Sequence, residues 1–549
     1  MRTASERTGT RPVHPLQIRF PMWRECDKPE SRRLSRWLLL LVVLAPVAFA
    51  TITGNIWEDF LITFRSSLNL VHGAGLVYEV GRRVHVFTSP LGTLVPAGIS
   101  WLLRTDDPVA VLNVFRGTAV VALGLAWWLT APRLPGLLAV AVAGSFWALD
   151  AKLAAFSTNG METAFLVFFV MLAWRALAEG NVNWAGIALG GAMWTRPDGF
   201  VFVGAVAAGF WLFPGDRRYR WRDWIRVAAI AGLIYGPWLV WAWMYYGSPV
   251  PNTILAKGAQ LNAREAFRLL WTYPFRLVFG HCAAHDAFLP SYYFFGGWSD
   301  RLWWYGKALA LAAAGTVLWP RCDRAARAAG LAFVLGGLYL GLTTRAPWYF
   351  PAWQILAYVA VAGGVAAMRE KLAQQPVGRL LLGGLVTAGL AVQAWLFVCT
   401  VVQLRAQQEI IEWGLRAPIG RALRQAARSP RETVFLEPLG YIGFYSGLAM
   451  RDTPGLCAPE VVTLRKAGRI SGPELIAAVQ PDWTIMRGGD YVAMNPPARQ
   501  AFEKDYVLWA VGDMRQRVSE IAWLPGREFL LFDAHYLVWR RRVPAAMHP

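Results

Sequence analysis

Charge is scarce in this chain. Of its 549 residues only 16% are Asp, Glu, Lys or Arg, against roughly 25% in ordinary soluble proteins. Together with 56% hydrophobic residues and a mean hydropathy of +0.34, that shortfall excludes an aqueous globular fold, which could not hide so much apolar surface from water. Cysteine is scarce too. Cys26, Cys282, Cys322, Cys399 and Cys457 are scattered and never at C-x-x-C spacing, so neither a zinc site nor a disulfide framework is indicated. No internal repeat is visible, which speaks against a transporter built from two halves. The first apolar run starts about 35 residues in and lacks a small-residue cleavage site, so the N-terminus is expected to be kept.

What remains is a polytopic membrane protein. Leu38 to Ala50 is almost wholly apolar and many similar runs follow. The net charge of +20 does not indicate nucleic acid as a partner, because the basic residues sit in short clusters between apolar runs, as in cytoplasmic loops. Residues 1–36 hold nine Arg or Lys against four acids, which places a basic N-terminus in the cytoplasm. Further basic clusters lie at Asp216–Arg220, Arg321–Arg327 and Arg369–Arg379. With all of these inside, 11 spans are expected, or 13 if a pair is merged, within a transmembrane domain over 37–401. The run Leu91 to Leu103 has no room in that count and reads as a re-entrant or surface-lying helix. Residues 54–108 then form a first external loop, and 402–549 an external α/β domain. That domain opens on a polar helix to Ala427, with extended runs at Thr433–Leu436, Trp483–Met486 and Phe529–Leu537.

The first external loop carries more punctuation than a spacer needs. At about 100° per residue, Glu58, Arg65, Asn69 and His72 fall on one face of a helix, opposite Phe60, Leu61, Phe64, Leu68 and Val71, with Asp59 at the margin. Such an amphipathic helix lies at an interface with its polar face toward a cavity. Gly73-Ala74-Gly75, Gly81-Arg82-Arg83 and Thr88-Ser89-Pro90 are turns. Other polar residues gather at the same side: Asn159-Gly160-Met161-Glu162-Thr163, Arg196-Pro197-Asp198-Gly199, Pro251-Asn252-Thr253 with Lys257, and Thr344-Arg345 before Trp348-Tyr349. Each alone reads as a turn, a first-turn acid or a snorkelling lysine. Their convergence on one membrane face points to a site.

These motifs, in this order, resemble those of GT-C glycosyltransferases, and among them the group around the mycobacterial cell-wall terminal arabinofuranosyltransferases. The matching pieces are Glu58-Asp59 with Arg65, Asn69, Gly73-x-Gly75, Gly81 and Thr88-Ser89-Pro90-Leu91, then Asn159-Gly160-Met161-Glu162-Thr163-Ala164. Thr195-Arg196-Pro197-Asp198-Gly199, Gly247 with Pro251-Asn252-Thr253 and Lys257, and Gly440 to Gly447 with Asp452 follow. The chain departs where the group's first Asp is Glu58, its V-E-G is Val84-His85-Val86, and its Trp after T-S-P-L is Gly92.

The resemblance implies an inverting transfer of a sugar, with arabinofuranose the nearest analogy, from a polyprenyl-phosphate donor to a cell-envelope glycan or glycolipid. It implies Asp59 as general base, with Glu58 its near equal. Arg65, Arg196, Lys257 and Arg345 are then candidates for the donor phosphate. His85, Asn159, Glu162, Asp198, Asn252 and Tyr349 are candidates for binding the sugars, and Glu58 with Asp59 for holding a divalent cation. It also implies a bacterial plasma membrane, with the N-terminus cytoplasmic and the C-terminal domain outside. The alternatives are a non-catalytic membrane protein on the same scaffold, linked to motility or the envelope, and a lipid transporter.

Overall fold

The computed structural model describes residues 29–215, 218–258, 262–343 and 345–542. The expectations for residues 1–28 of the basic N-terminus, for Asp216, Arg217 and Thr344, and for the last seven residues, 543–549, lie outside the described residues.

Each of the eleven apolar runs expected to span is helical. Among the described residues, six helices are long and apolar enough to cross a membrane, or seven if the bent pair Gly136–Ala148 and Ala151–Thr158 counts as one. Thr163–Ala178 and Gly199–Leu212 are apolar but shorter. The chain is a multi-pass membrane protein of mostly helical build with a small C-terminal α/β region. The 54° bend has a local cause. Asp150 caps the second piece through its side chain, accepting from Leu153 N at 2.7 Å, and its other oxygen accepts from Gln354 Nε2 at 2.8 Å. Close helix contact depends on small residues: a Cβ at Gly190, in Val182–Thr195, would lie 2.8 Å from Ile234 Cβ in Trp221–Tyr246.

Leu91 to Leu103 is a helix, Pro90–Leu103, whose end leaves Trp101 and Leu102 about 70% exposed (70% and 73%). The first-loop helix is Glu58–Val71. Its apolar face is buried as expected, with Phe60, Leu61 and Phe64 at 1% exposure or less.

The last apolar helix, Pro376–Ala406, does not stop at the bundle. It continues through wider π-type turns over Gln407–Arg416 into Ala417–Ala426 and enters the C-terminal domain. There, among the described residues, five strands form one sheet: β1 Thr433–Leu436, β2 Ala449–Asp452, β3 Trp483–Arg487, β4 Tyr506–Asp513 and β5 His535–Arg541. Their order is β2-β1-β3-β5-β4. β1 is parallel to β2 and β3, while β5 is antiparallel to β3 and β4. Val434 lies opposite Trp483, and Thr484 opposite Trp539. Leu439–Ser446 covers one sheet face with Val434, Leu436 and Ile485, while Pro459–Lys466 and Gly472–Val479 cover the other with Phe435 and Met486. Two extended runs stand where the sequence suggested. The third does not: Glu528–Phe532 is helical and the strand begins at His535. Phe529 stacks on Tyr292 of the bundle at 3.5 Å, and Asp533 is drawn to Arg416 and Arg487, so tertiary contacts override the local pattern.

Candidate active site

The first-loop helix begins at Trp57, whose N–H donates to Asn159 O at 2.8 Å. Its ring lies beside Tyr292 and Trp348. Glu58 and Asp59 follow in the first turn, where a helix favours negative charge. One residue apart, they point to different partners.

Glu58 turns to the C-terminal domain. One oxygen accepts from Gly440 N at 2.8 Å and the other pairs with Arg416 Nη1 at 3.2 Å. Arg416 also holds Glu412 at 2.9 Å and Asp533 at 2.8 Å, and Asp533 in turn takes Arg487 at 2.7 Å. Burial pushes the Glu58 carboxyl up to about 8, opposed by Arg416. Burial outweighs Arg416, whose guanidinium also serves Glu412 and Asp533.

Asp59 forms no hydrogen bond or ion pair with any described residue. It lines a cavity of about 380 Å³ with Glu162, Arg196, Lys257, Trp348 and Tyr349. Burial raises its carboxyl above the ordinary range, and the positive fields of Lys257 and then Arg196 oppose that rise. Lys257 likewise has no ion pair among the described residues, and its ammonium sits 6.0 Å from the Trp348 ring centre. Arg196, by contrast, is buried and matched: Glu162 at 3.2 Å, Asp198 at 3.0 Å, and the Tyr349 ring 4.1 Å away. Tyr339 donates to the far oxygen of Asp198 at 2.7 Å.

Two glycines explain the motifs that build this wall. Gly160 has φ +101°, and a Cβ there would lie 2.4 Å from the Phe60 ring. Gly199 passes so close to the preceding helix that a Cβ would meet Ala192 O at 2.3 Å. Larger residues would push Glu162 or Arg196 away from Asp59.

A second cavity, about 790 Å³, adjoins the first, sharing Asp59, Trp348 and Glu437. One part of its wall is aromatic, with Tyr292, Phe295, Phe529 and Phe532, and ionisable side chains line the rest alongside apolar ones. Arg345 is at its rim, paired with Asp286 at 3.2 Å, and His281 takes the other Asp286 oxygen at 2.7 Å. Lys152 lines it as well, donating to the carbonyls of Asp286 and Ala287.

The structure thus brings Asp59, Glu162, Arg196, Lys257 and Tyr349 around one hollow, with Glu58 and Arg345 in its neighbour. Others lie elsewhere. Arg65 donates to three carbonyls of the C-terminal domain, Gly443, Gly447 and Leu448, and lines neither cavity. The polar face of the first-loop helix therefore docks the C-terminal domain through Arg65, while Asn69 bonds Val77 O and Tyr78 O and His72 bonds Asp106 within the loop itself. His85 is buried against the Tyr246 ring at 4.5 Å, behind the wall formed by Val86 and Phe87. Burial lowers its imidazole to about 4, so it is neutral. Asn252 ties the C-terminal domain by donating to Gly455 O and Leu456 O. Asn159 accepts from Met161 N and does not line the cavities. Asp198 stands behind Arg196. Glu58 and Asp59 both line the larger cavity, and among the described residues no group of three or more His, Cys, Asp or Glu is arranged to hold a metal ion.

Sequence reasoning missed Glu437, which follows β1 and whose charge raises Asp59 further, and the cluster around Arg416. Both belong to the C-terminal domain and its supporting helix, and only folding carries them to the first loop.

The fold that carries this site is of the GT-C type. The chain aligns over 94% of its length with ArnT from Cupriavidus metallidurans bound to undecaprenyl phosphate, covering 99% of that chain at TM-score 0.53 and 14% identity. The apo state of the same protein matches at TM-score 0.54, again at 14% identity, over 93% of this chain and 99% of that one. In sequence, the chain is 27% identical over 248 residues to the terminal β-(1→2)-arabinofuranosyltransferase of Mycobacterium tuberculosis. That match takes in 41% of this chain and 39% of the relative, so the chain spans about two fifths of the curated relative's length. Residues 403–536 match a domain of unknown function, DUF8728.

Proposed function

We propose that the protein is a membrane glycosyltransferase that moves a sugar from a polyprenyl-phosphate donor to a hydroxyl of a cell-envelope acceptor. The observation that carries the reading is Asp59 and Lys257: an acid and a cation that face one hollow without forming an ion pair. Opposite charges held apart across a hollow leave room for a ligand between them. The acceptor hydroxyl attacks the anomeric carbon, Asp59 takes its proton, and the bond from that carbon to the phosphate oxygen breaks. Polyprenyl phosphate leaves, and one displacement inverts the centre. Lys257 and Arg345 meet the charge growing on the phosphate, where fixed donors in a water-poor site act best. Arg196, already matched by two carboxylates, packs on the Tyr349 ring and favours the charged form of Asp59 through its field. The aromatic wall of the larger cavity suits the isoprenoid chain next to the headgroup. In the membrane the site would face away from the cytoplasm. Arabinofuranose is the sugar favoured by the likeness to the mycobacterial enzyme.

The test is Asp59→Asn in purified protein supplied with a synthetic polyprenyl-phosphate arabinofuranose and an arabinan oligosaccharide. Turnover is expected to fall about 10²–10⁴-fold, the usual worth of a general base, with lipid binding and Tm unchanged. Undiminished transfer would overturn the reading.

A further inference from the structure

The C-terminal domain has a third hollow that the reaction above does not use. It encloses about 690 Å³, within the roughly 300–1,000 Å³ typical of small-molecule sites. It lies where Glu437 and Pro438 leave β1 and where Arg487 ends β3. Its position has a topological cause. The chain leaves β1 for β2 on one side, then crosses back to β3 on the other side of β1. The helix of the first crossover lies on one sheet face and those of the second on the opposite face. Between two connections that diverge in this way, a crevice opens beyond the carboxyl ends of the parallel strands, and ligands of open α/β sheets bind there.

The lining indicates what would bind. Glu437, Glu474 and Asp490 face the hollow with only Arg487 as counter-charge, three acids against one cation. That balance repels phosphates and uronates, while carboxylate oxygens accept readily from sugar hydroxyls. Thr484 lines it with a buried hydroxyl beside Tyr506, and Met494 supplies an apolar patch for sugar C–H faces. The hollow is also joined to the reaction site. Glu437 lines all three cavities, and Arg487 lines both this one and the aromatic one.

We propose that this crevice is an acceptor subsite, which holds the units of a neutral, hydroxyl-rich glycan that lie beyond the unit receiving the sugar. The proposal rests on the glycosyl-transfer reading for its role, while its ligand class rests on the crevice alone. The test measures binding of neutral arabinan, galactan and mannan tetrasaccharides, and of tetragalacturonate, to the full chain in nanodiscs by saturation-transfer NMR. Three variants are compared with the parent. Ala493→Trp fills the hollow from its exposed rim, Asp490→Asn removes a carboxylate without adding bulk, and Asp59→Asn serves as the reaction-site control. At least one neutral tetrasaccharide is expected to bind, about tenfold more weakly in Ala493→Trp, and with unchanged affinity in Asp59→Asn. Tetragalacturonate is expected not to bind the parent, and binding as tight as the neutral probes would overturn the ligand class. No binding of any neutral probe, or binding indifferent to both Ala493→Trp and Asp490→Asn, would overturn the proposal. Should Ala493→Trp fail to fold, Asp490→Asn alone decides it by the same criterion. Crevice-dependent binding without sugar transfer by the parent protein would sink the transfer reading and leave the glycan site standing.

Discussion

Two clusters of acids and cations meet at the start of the first-loop helix, and they differ in whether their charges are matched. Around Arg416 every charge has a partner: Glu58, Glu412 and Asp533 hold the guanidinium, and Arg487 takes up Asp533. Around Asp59 the acid and Lys257 stand apart across a hollow, with only Arg196 fully paired. The ingredients are the same. A saturated cluster fastens one domain to another, while an unsaturated one stays ready for something to come between its charges. Adjacent residues of one helical turn serve the two ends because successive side chains point about 100° apart.

The contrast can be broken by experiment. Arg416→Met leaves three carboxylates facing one another, and the loss of a buried partner is expected to cost roughly 3–5 kcal/mol, read as a lowered Tm in detergent. An unchanged Tm would mean that the cluster fastens nothing. Lys257→Met should leave Tm alone and slow transfer on the order of 10²-fold, the cost of one donor to developing charge. The same change sharpens the contrast through pH. Asp59 works ionised, and burial already places the acid limb of its pH–rate profile above the ordinary carboxylate range. Lys257 is the first field to oppose that rise, so removing it should shift the limb to higher pH. A limb that stays put would remove Lys257 from the site. The smallest effect is expected at Glu58. Its carboxyl keeps a proton up to about 8 in the folded chain and gives it up near 4.5 when unfolded. The folded state therefore binds the extra proton between those values, and its stability falls as pH rises through that window. Glu58→Gln should flatten this decline in Tm and change little at pH 5.

Much of this was legible in the sequence, for physical reasons. Apolar runs of membrane length dictate helices whatever packs around them, so each expected span is a helix. Gly160, Asp198 and Lys257 were visible because short motifs repeat their geometry locally. The direction of a side chain was not legible. Amphipathicity placed Arg65 beside Glu58 on a polar face, but it could not tell a cavity from a docked domain, and Arg65 binds three carbonyls of that domain. His85 stands where the resembling motif pointed to a site residue, yet packs behind the wall. Glu437 and Arg416 lie more than 350 residues from Glu58 and Asp59 along the chain, and no local pattern announces a partner at that distance. The strand expected over Phe529–Leu537 failed for the same reason, since Tyr292 and Arg487 decide where that segment bends.

The helix that runs from Pro376 through its wide turns to Ala426 leaves no slack between membrane and domain. It works as a drive shaft. Adding one residue near Gln403 would swing everything beyond it by about 100° and lift it by about 1.5 Å, turning the strand ends away from the hollow they overlook. Relatives with longer or shorter shafts should therefore differ by whole turns, and a transplanted head would have to be fitted to its new stem in phase, not merely in sequence.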